Sequence, residues 1–145
     1  MAGRDGTPHA ASPAVQLSTA RELHIAVQKT ARYAVLGDLA DPREVWFVIH
    51  GYGQLARRFL RRFTSLVGDG RLIVAPEALN RYYFETSPGV HARDAGIGGT
   101  WMTHEDRETE IADYIAYLDQ LYHFIIGGAQ RVPARVVVLG FSQGV

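Results

Sequence analysis

Gly140-Phe141-Ser142-Gln143-Gly144 is a G-x-S-x-G sequence set directly after the apolar run Val136-Val137-Val138-Leu139. These residue types suit acyl transfer. A serine hydroxyl is a weak nucleophile until a base takes its proton. A sharp strand-to-helix turn lifts the hydroxyl above the sheet, where a base can reach it. Gly140 and Gly144 flank the serine because side chains would collide in so tight a turn. The same turn leaves the backbone N–H of Gln143 free to stabilise an oxyanion.

A second glycine cluster, His50-Gly51-Tyr52-Gly53, comes after the apolar run Val45-Trp46-Phe47-Val48-Ile49. Where a nucleophile elbow exists, the other oxyanion donor comes from the loop after the third strand. Gly51 and Gly53 then serve that loop, the Tyr52 N–H is the donor, and His50 braces the loop as a structural histidine. The same letters support a rival. Gly51-Tyr52-Gly53-Gln54-Leu55-Ala56 satisfies G-x-G-x-x-G/A between a strand and a helix, and Glu77 lies roughly 20 residues on, as in dinucleotide-binding units. Against that rival, His50 crowds the strand end, Ala56 replaces the third glycine, and Pro76 directly precedes the acid.

Several separated segments resemble the phospholipase/carboxylesterase family of the α/β-hydrolases, whose members are similar to acyl-protein thioesterases and small carboxylesterases. Trp46 to Ala56 resembles its oxyanion segment, and Val74-Ala75-Pro76-Glu77-Ala78-Leu79 its next strand. Gly99-Thr100-Trp101-Met102 looks like its pocket loop, and Val138 to Gly144 its elbow. The resemblance covers about residues 23–145. It implies hydrolysis of a small ester or thioester without a cofactor, with Ser142 as nucleophile and Tyr52 and Gln143 as oxyanion donors. It also implies that Trp101 lines a substrate pocket, although packing of the loop onto the sheet explains a tryptophan there equally well. For Tyr82, Tyr83 and Phe84, packing is the preferred reading.

The chain departs from that pattern at one point. In this fold the triad runs Ser, then Asp or Glu, then His, but only Gln143, Gly144 and Val145 come after Ser142. The acid and base are therefore expected beyond the chain end, and the 145 residues as the N-terminal part of a longer hydrolase, inert by themselves. His9, His24, His50, His91, His104 and His123 all lie upstream. A non-catalytic binding or regulatory module on a hydrolase-like half domain is the alternative.

Other chemistries find less support. With no cysteine, a thiolate zinc site and a cysteine nucleophile are excluded, and a reducing, cytoplasmic setting is expected. His104-Glu105-Asp106-Arg107-Glu108 lacks the second histidine of H-E-x-x-H, so no metal site is expected, and His91 and His104 read as exposed residues. Gly96-Ile97-Gly98-Gly99 has no Lys-Ser/Thr after it and is not a phosphate-cradling loop. Lys+Arg and Asp+Glu both total 15, so no global basic field favours nucleic acid. No apolar run is long enough for a membrane span.

The elements that must position these groups read as one α/β domain over residues 21–145. The whole chain's 47% hydrophobic and 21% charged residues suit a buried core, and residues 1–20 read as a flexible lead. Leu23, Ile25 and Val27, then Ala31, Tyr33 and Val35, alternate at period two and predict an antiparallel hairpin. Val45 to Ile49 and Leu72-Ile73-Val74-Ala75 are continuous apolar runs that predict buried parallel strands. Leu55, Phe59, Phe63 and Leu66 predict one helix, with Arg57, Arg58, Arg61 and Arg62 on its other side. That basic side is a solvated face or an anion-binding patch. Residues 76–102 read as a long irregular connection. Thr103 and Asp106 form a loose capping box before a long helix carrying Ile111, Tyr114, Ile115, Leu118, Leu121, Tyr122 and Ile125, ended by Gly127-Gly128. The order β-β-β-α-β-α-β implies a mostly parallel sheet flanked by helices and entered through an antiparallel hairpin. The family resemblance implies that this is an α/β-hydrolase fold, truncated after the elbow. Val136 to Leu139 would then form an exposed apolar edge.

Overall fold

The computed structural model describes residues 20–84 and 95–145. All of the lead but Ala20 lies outside that range, as do His9 and His91. In chain order the elements are β1 (Tyr33–Leu36), β2 (Glu44–Ile49), α1 (Ala56–Leu60), β3 (Arg71–Pro76), β4 (Asn80–Tyr83), β5 (Ile97–Thr100), α2 (Arg107–Gly128) and β6 (Arg135–Gly140). Four strands form the main sheet in the order β1-β3-β2-β6, and β4 and β5 form a separate antiparallel pair. β2 runs parallel to both β3 and β6, whereas β1 is antiparallel to β3. The fold is mixed α/β, with a partly parallel sheet and few helices.

Continuous apolar runs make the central strands because both sheet faces are covered. Val45, Phe47, Leu72 and Val74 point to one face, where Leu121 and Ile125 of α2 cover them. Val48, Ile73 and Ala75 point to the other, against Ala56, Phe59 and Leu60 of α1 and the neighbouring Phe63. At the N-terminal ends of the strands, Glu44 accepts from Trp46 Nε1 at 2.8 Å and from Arg71 Nε at 3.2 Å. Those contacts hold its carboxyl below the usual range, the Trp46 hydrogen bond foremost.

Several elements differ from expectation. Leu23, Ile25 and Val27 form no strand and are largely exposed, so the hairpin is absent and β1 pairs with β3 instead. The helix expected from Leu55 to Leu66 is α for five residues and then 3-10 over Arg61–Leu66. Residues 76–102 are not wholly irregular, because β4 and β5 lie within them. Asp106 caps α2 in the left-handed region with no capping hydrogen bond from its side chain. Glu110 does the bracing instead, accepting from the N–H of Thr103 at 2.6 Å and its hydroxyl at 3.1 Å. Ile115 and Tyr122 fall outside the buried stripe of α2. β6 pairs only with β2 among the described strands, and Val138 on it is 66% exposed. No helix among the described residues is long and apolar enough to cross a membrane.

Candidate active site

The two glycine clusters meet because β2 and β6 are parallel neighbours, in register from Glu44↔Arg135 to Ile49↔Gly140. Both strands therefore end side by side, and the loop after β2 and the turn after β6 must share one space. The Phe141 N–H donates to the Ile49 carbonyl at 3.0 Å, extending the pairing by one step. The chain then turns sharply. Ser142 has φ +55°, in the left-handed region that costs an L-residue roughly 1–2 kcal/mol. A short 3-10 turn, Ser142–Gly144, comes next, closed by the Gly144 N–H on the Phe141 carbonyl at 3.0 Å.

The glycines make this approach possible. A Cβ on Gly144 would lie 2.5 Å from the Ile49 carbonyl oxygen, and one on Gly51 would lie 3.0 Å from the Ser142 Cβ. Neither the Tyr52 N–H nor the Gln143 N–H is taken by a hydrogen bond among the described residues. The Gly53 N–H donates to the Gly99 carbonyl at 2.8 Å, and the Gly99 N–H to the Gln54 carbonyl at 3.1 Å, so β5 clamps the loop. The Gln54 side chain closes the loop from within, accepting from the Gly51 N–H at 2.8 Å.

His50 is fully buried. Its Nδ1–H donates to the Gly51 carbonyl at 2.8 Å, and its Nε2 accepts from the Ala78 N–H at 3.0 Å. Both ring nitrogens are thus occupied, which fixes the neutral form with the proton on Nδ1. Burial pushes its pKa below the ordinary value. His50 braces the loop and has no free nitrogen for proton transfer.

Trp101 and Gln143 are joined in a way that spacing does not reveal. Trp101 is 3% exposed, and its Nε1–H donates to the His50 carbonyl at 2.8 Å. Gln143 Oε1 accepts from the Trp101 N–H at 3.0 Å, and Gln143 Nε2 donates to the Met102 carbonyl at 2.7 Å. The Gln143 side chain therefore ties the turn after β6 to residues 100–102, while its backbone N–H stays open. Trp101 packs behind the loop, its ring 5.1 Å from that of His50. Tyr52 is 59% exposed and stacks on Tyr82 at 5.3 Å. Burial is the main cause that raises the pKa of Tyr82 to about 12.

Glu77 supplies a further brace. It is 1% exposed, and its Oε1 accepts from Arg32 Nη2 at 2.6 Å and Arg81 Nη1 at 3.0 Å. Its Oε2 accepts from the Ala56 N–H at 3.2 Å, at the start of α1. The acid that a dinucleotide reading assigns to a ribose is thus buried and ion-paired. The helix start that would meet a pyrophosphate is occupied by the same carboxylate. Arg81, four residues after Glu77, is the one local signal of this role.

The described histidines are engaged or remote from the serine. His24 bonds Asp106 at 2.9 Å, His123 Nδ1 bonds the Asp119 carbonyl at 2.9 Å, and His104 is exposed. No imidazole hydrogen-bonds Ser142 among the described residues. The described residues also contain no group of three or more side chains suited to hold a metal ion. Neither a protein-family model nor a curated protein matches this chain.

Proposed function

We propose that this chain carries the nucleophile and oxyanion hole of a serine hydrolase acting on carboxylic esters or thioesters. The supporting observation is the seating of Ser142, left-handed at the end of β6, against Gly51 of the neighbouring loop. A left-handed serine at a strand end is costly without a function that needs the hydroxyl raised. Two unoccupied N–H groups support the same reading, that of Gln143 within the turn and that of Tyr52 directly after Gly51.

In this reading the Ser142 Oγ attacks the acyl carbonyl carbon as a base removes its proton. The carbonyl oxygen becomes an oxyanion, held by the Tyr52 and Gln143 N–H groups. The base then protonates the departing alkoxide or thiolate, leaving an acyl-serine. Water, activated by the same base, attacks the acyl carbon and releases the acid and the free serine. His50 has no part in proton transfer, because both its nitrogens are held. The base is assigned to no described residue.

The test is labelling by an alkyl fluorophosphonate of the protein as its own cells make it, mapped by mass spectrometry. The expected result is a phosphonyl adduct on Ser142 with loss of fluoride, abolished in Ser142→Ala. An unlabelled Ser142 in folded protein overturns the proposal.

A further inference from the structure

The four arginines after the glycine loop do not share one environment. Arg62 sits over aromatic rings, its guanidinium carbon 5.8 Å from the Phe59 centroid and 5.5 Å from that of Phe141. Arg57 and Arg61, one helical turn apart, instead line a cavity of about 310 Å³ between α1 and β1. Its remaining wall is mainly apolar, with Ala34 and Leu36 from β1 and Leu60 from α1. β1 is the outermost strand of the sheet, so the cavity opens beside an edge rather than within the core.

No carboxylate among the described residues compensates the charge there. Arginine ion pairs among the described residues use Arg32, Arg71, Arg81, Arg131 and Arg135. None involves Arg57 or Arg61. Like charges one helical turn apart repel each other, and here both border apolar surface. A bare anion would neutralise them and leave the apolar wall wet. A neutral alkyl chain would cover the wall and leave the cations unmatched.

We propose that this cavity binds a small amphipathic carboxylate, its alkyl body against Ala34, Leu36 and Leu60 and its head between the Arg57 and Arg61 guanidiniums. The planar guanidinium fork matches the two oxygens of a carboxylate. A volume near the lower end of ordinary ligand sites calls for a small ligand. The site is distinct from Ser142 and does not depend on the hydrolase reading.

The probe is octanoate, titrated into the folded chain and tracked by NMR of backbone amides and arginine Nε–H groups. Saturable shifts at residues 34–36, Arg57 and Arg61 are expected, with at least tenfold weaker binding in Arg57→Gln/Arg61→Gln. The paired variant Arg58→Gln/Arg62→Gln removes the same charge outside the cavity and should bind octanoate as the parent does. Octanol, which lacks the head, and inorganic phosphate, which lacks the tail, should both bind at least tenfold more weakly. Equal binding by either, equal loss in the two paired variants, no saturable shift, or shifts confined to residues 142–144 would each overturn the proposal.

Discussion

A Cβ on Gly51 would stand 3.0 Å from the Cβ of Ser142 and 3.1 Å from the ring and carbonyl of Phe141. The loop after β2 and the turn after β6 are therefore fitted to each other, and neither can shift independently. Gly51→Ala should destabilise the chain by about 1–3 kcal/mol, the usual range for overpacking. Gly127, in the last turn of α2, meets nothing within 4 Å, and Gly127→Ala should stabilise by roughly 0.5–1 kcal/mol. Urea unfolding of both variants measures the contrast. A Gly51→Ala chain as stable as the parent would mean that loop and turn are not in contact.

The φ of +55° at Ser142 makes a second prediction. An L-residue in this conformation is strained, while glycine is not. Ser142→Gly should therefore be more stable than Ser142→Ala by about 1 kcal/mol, although both remove the hydroxyl. Urea midpoints decide it, and equal stabilities would show that the turn is not left-handed in solution. A gain in Ser142→Gly is the pattern of a residue kept for its chemistry at the expense of stability.

The glycine spacings made the turn after β6 and the loop after β2 legible, because few residues other than glycine survive such close backbone approach. The buried strands were legible as uninterrupted apolar runs. Alternation at Leu23, Ile25 and Val27 was misleading, since it describes the two sides of a strand and not whether either side has an apolar surface to cover; all three stay largely exposed although the outer side of β1 is free. β4 and β5 were hidden because Asn80-Arg81-Tyr82-Tyr83 and Ile97-Gly98-Gly99-Thr100 carry no clear apolar pattern. Their pairing is legible only in three dimensions, where Gly99 exchanges hydrogen bonds with the loop at Gly53 and Gln54. The side-chain roles of Gln143 and Glu77 were equally hidden. Each depends on partners tens of residues away, apart from Arg81.

His50 makes stability depend on pH. Its folded-state pKa lies below the ordinary 6.5, chiefly because burial disfavours the charged ring. Between those two values the unfolded chain binds the proton and the folded chain does not, so stability rises with pH across that window. The contribution is fully present above about pH 6.5 and is lost as pH falls towards the folded-state value, with a slope of at most about 1.4 kcal/mol per pH unit. Glu44 and Asp106 are held below their ordinary carboxyl values, led by hydrogen bonds from Trp46 and Thr109, and so stay ionised between pH 5.5 and 7.5. Urea unfolding at pH 7.5 and 5.5 should show the loss in the parent and a smaller one in His50→Gln. Equal losses would remove His50 as the source.

One side of β6 is unpaired among the described strands. That strand is an edge of the described sheet, with Val136 38% and Val138 66% exposed. An edge of apolar side chains and unpaired backbone groups is a template for another strand. The 145-residue chain should therefore associate as its concentration rises. Val138→Lys adds a charge that must be desolvated if a second strand docks, yet its side chain already faces solvent, so the fold should tolerate it. Sedimentation velocity over a hundredfold concentration range should show association in the parent and a monomer in the variant. A parent that stays monomeric throughout would mean that the β6 edge is protected in solution. Association unchanged in Val138→Lys would place the contact elsewhere, for which exposed Phe124 on α2 is the next residue to change.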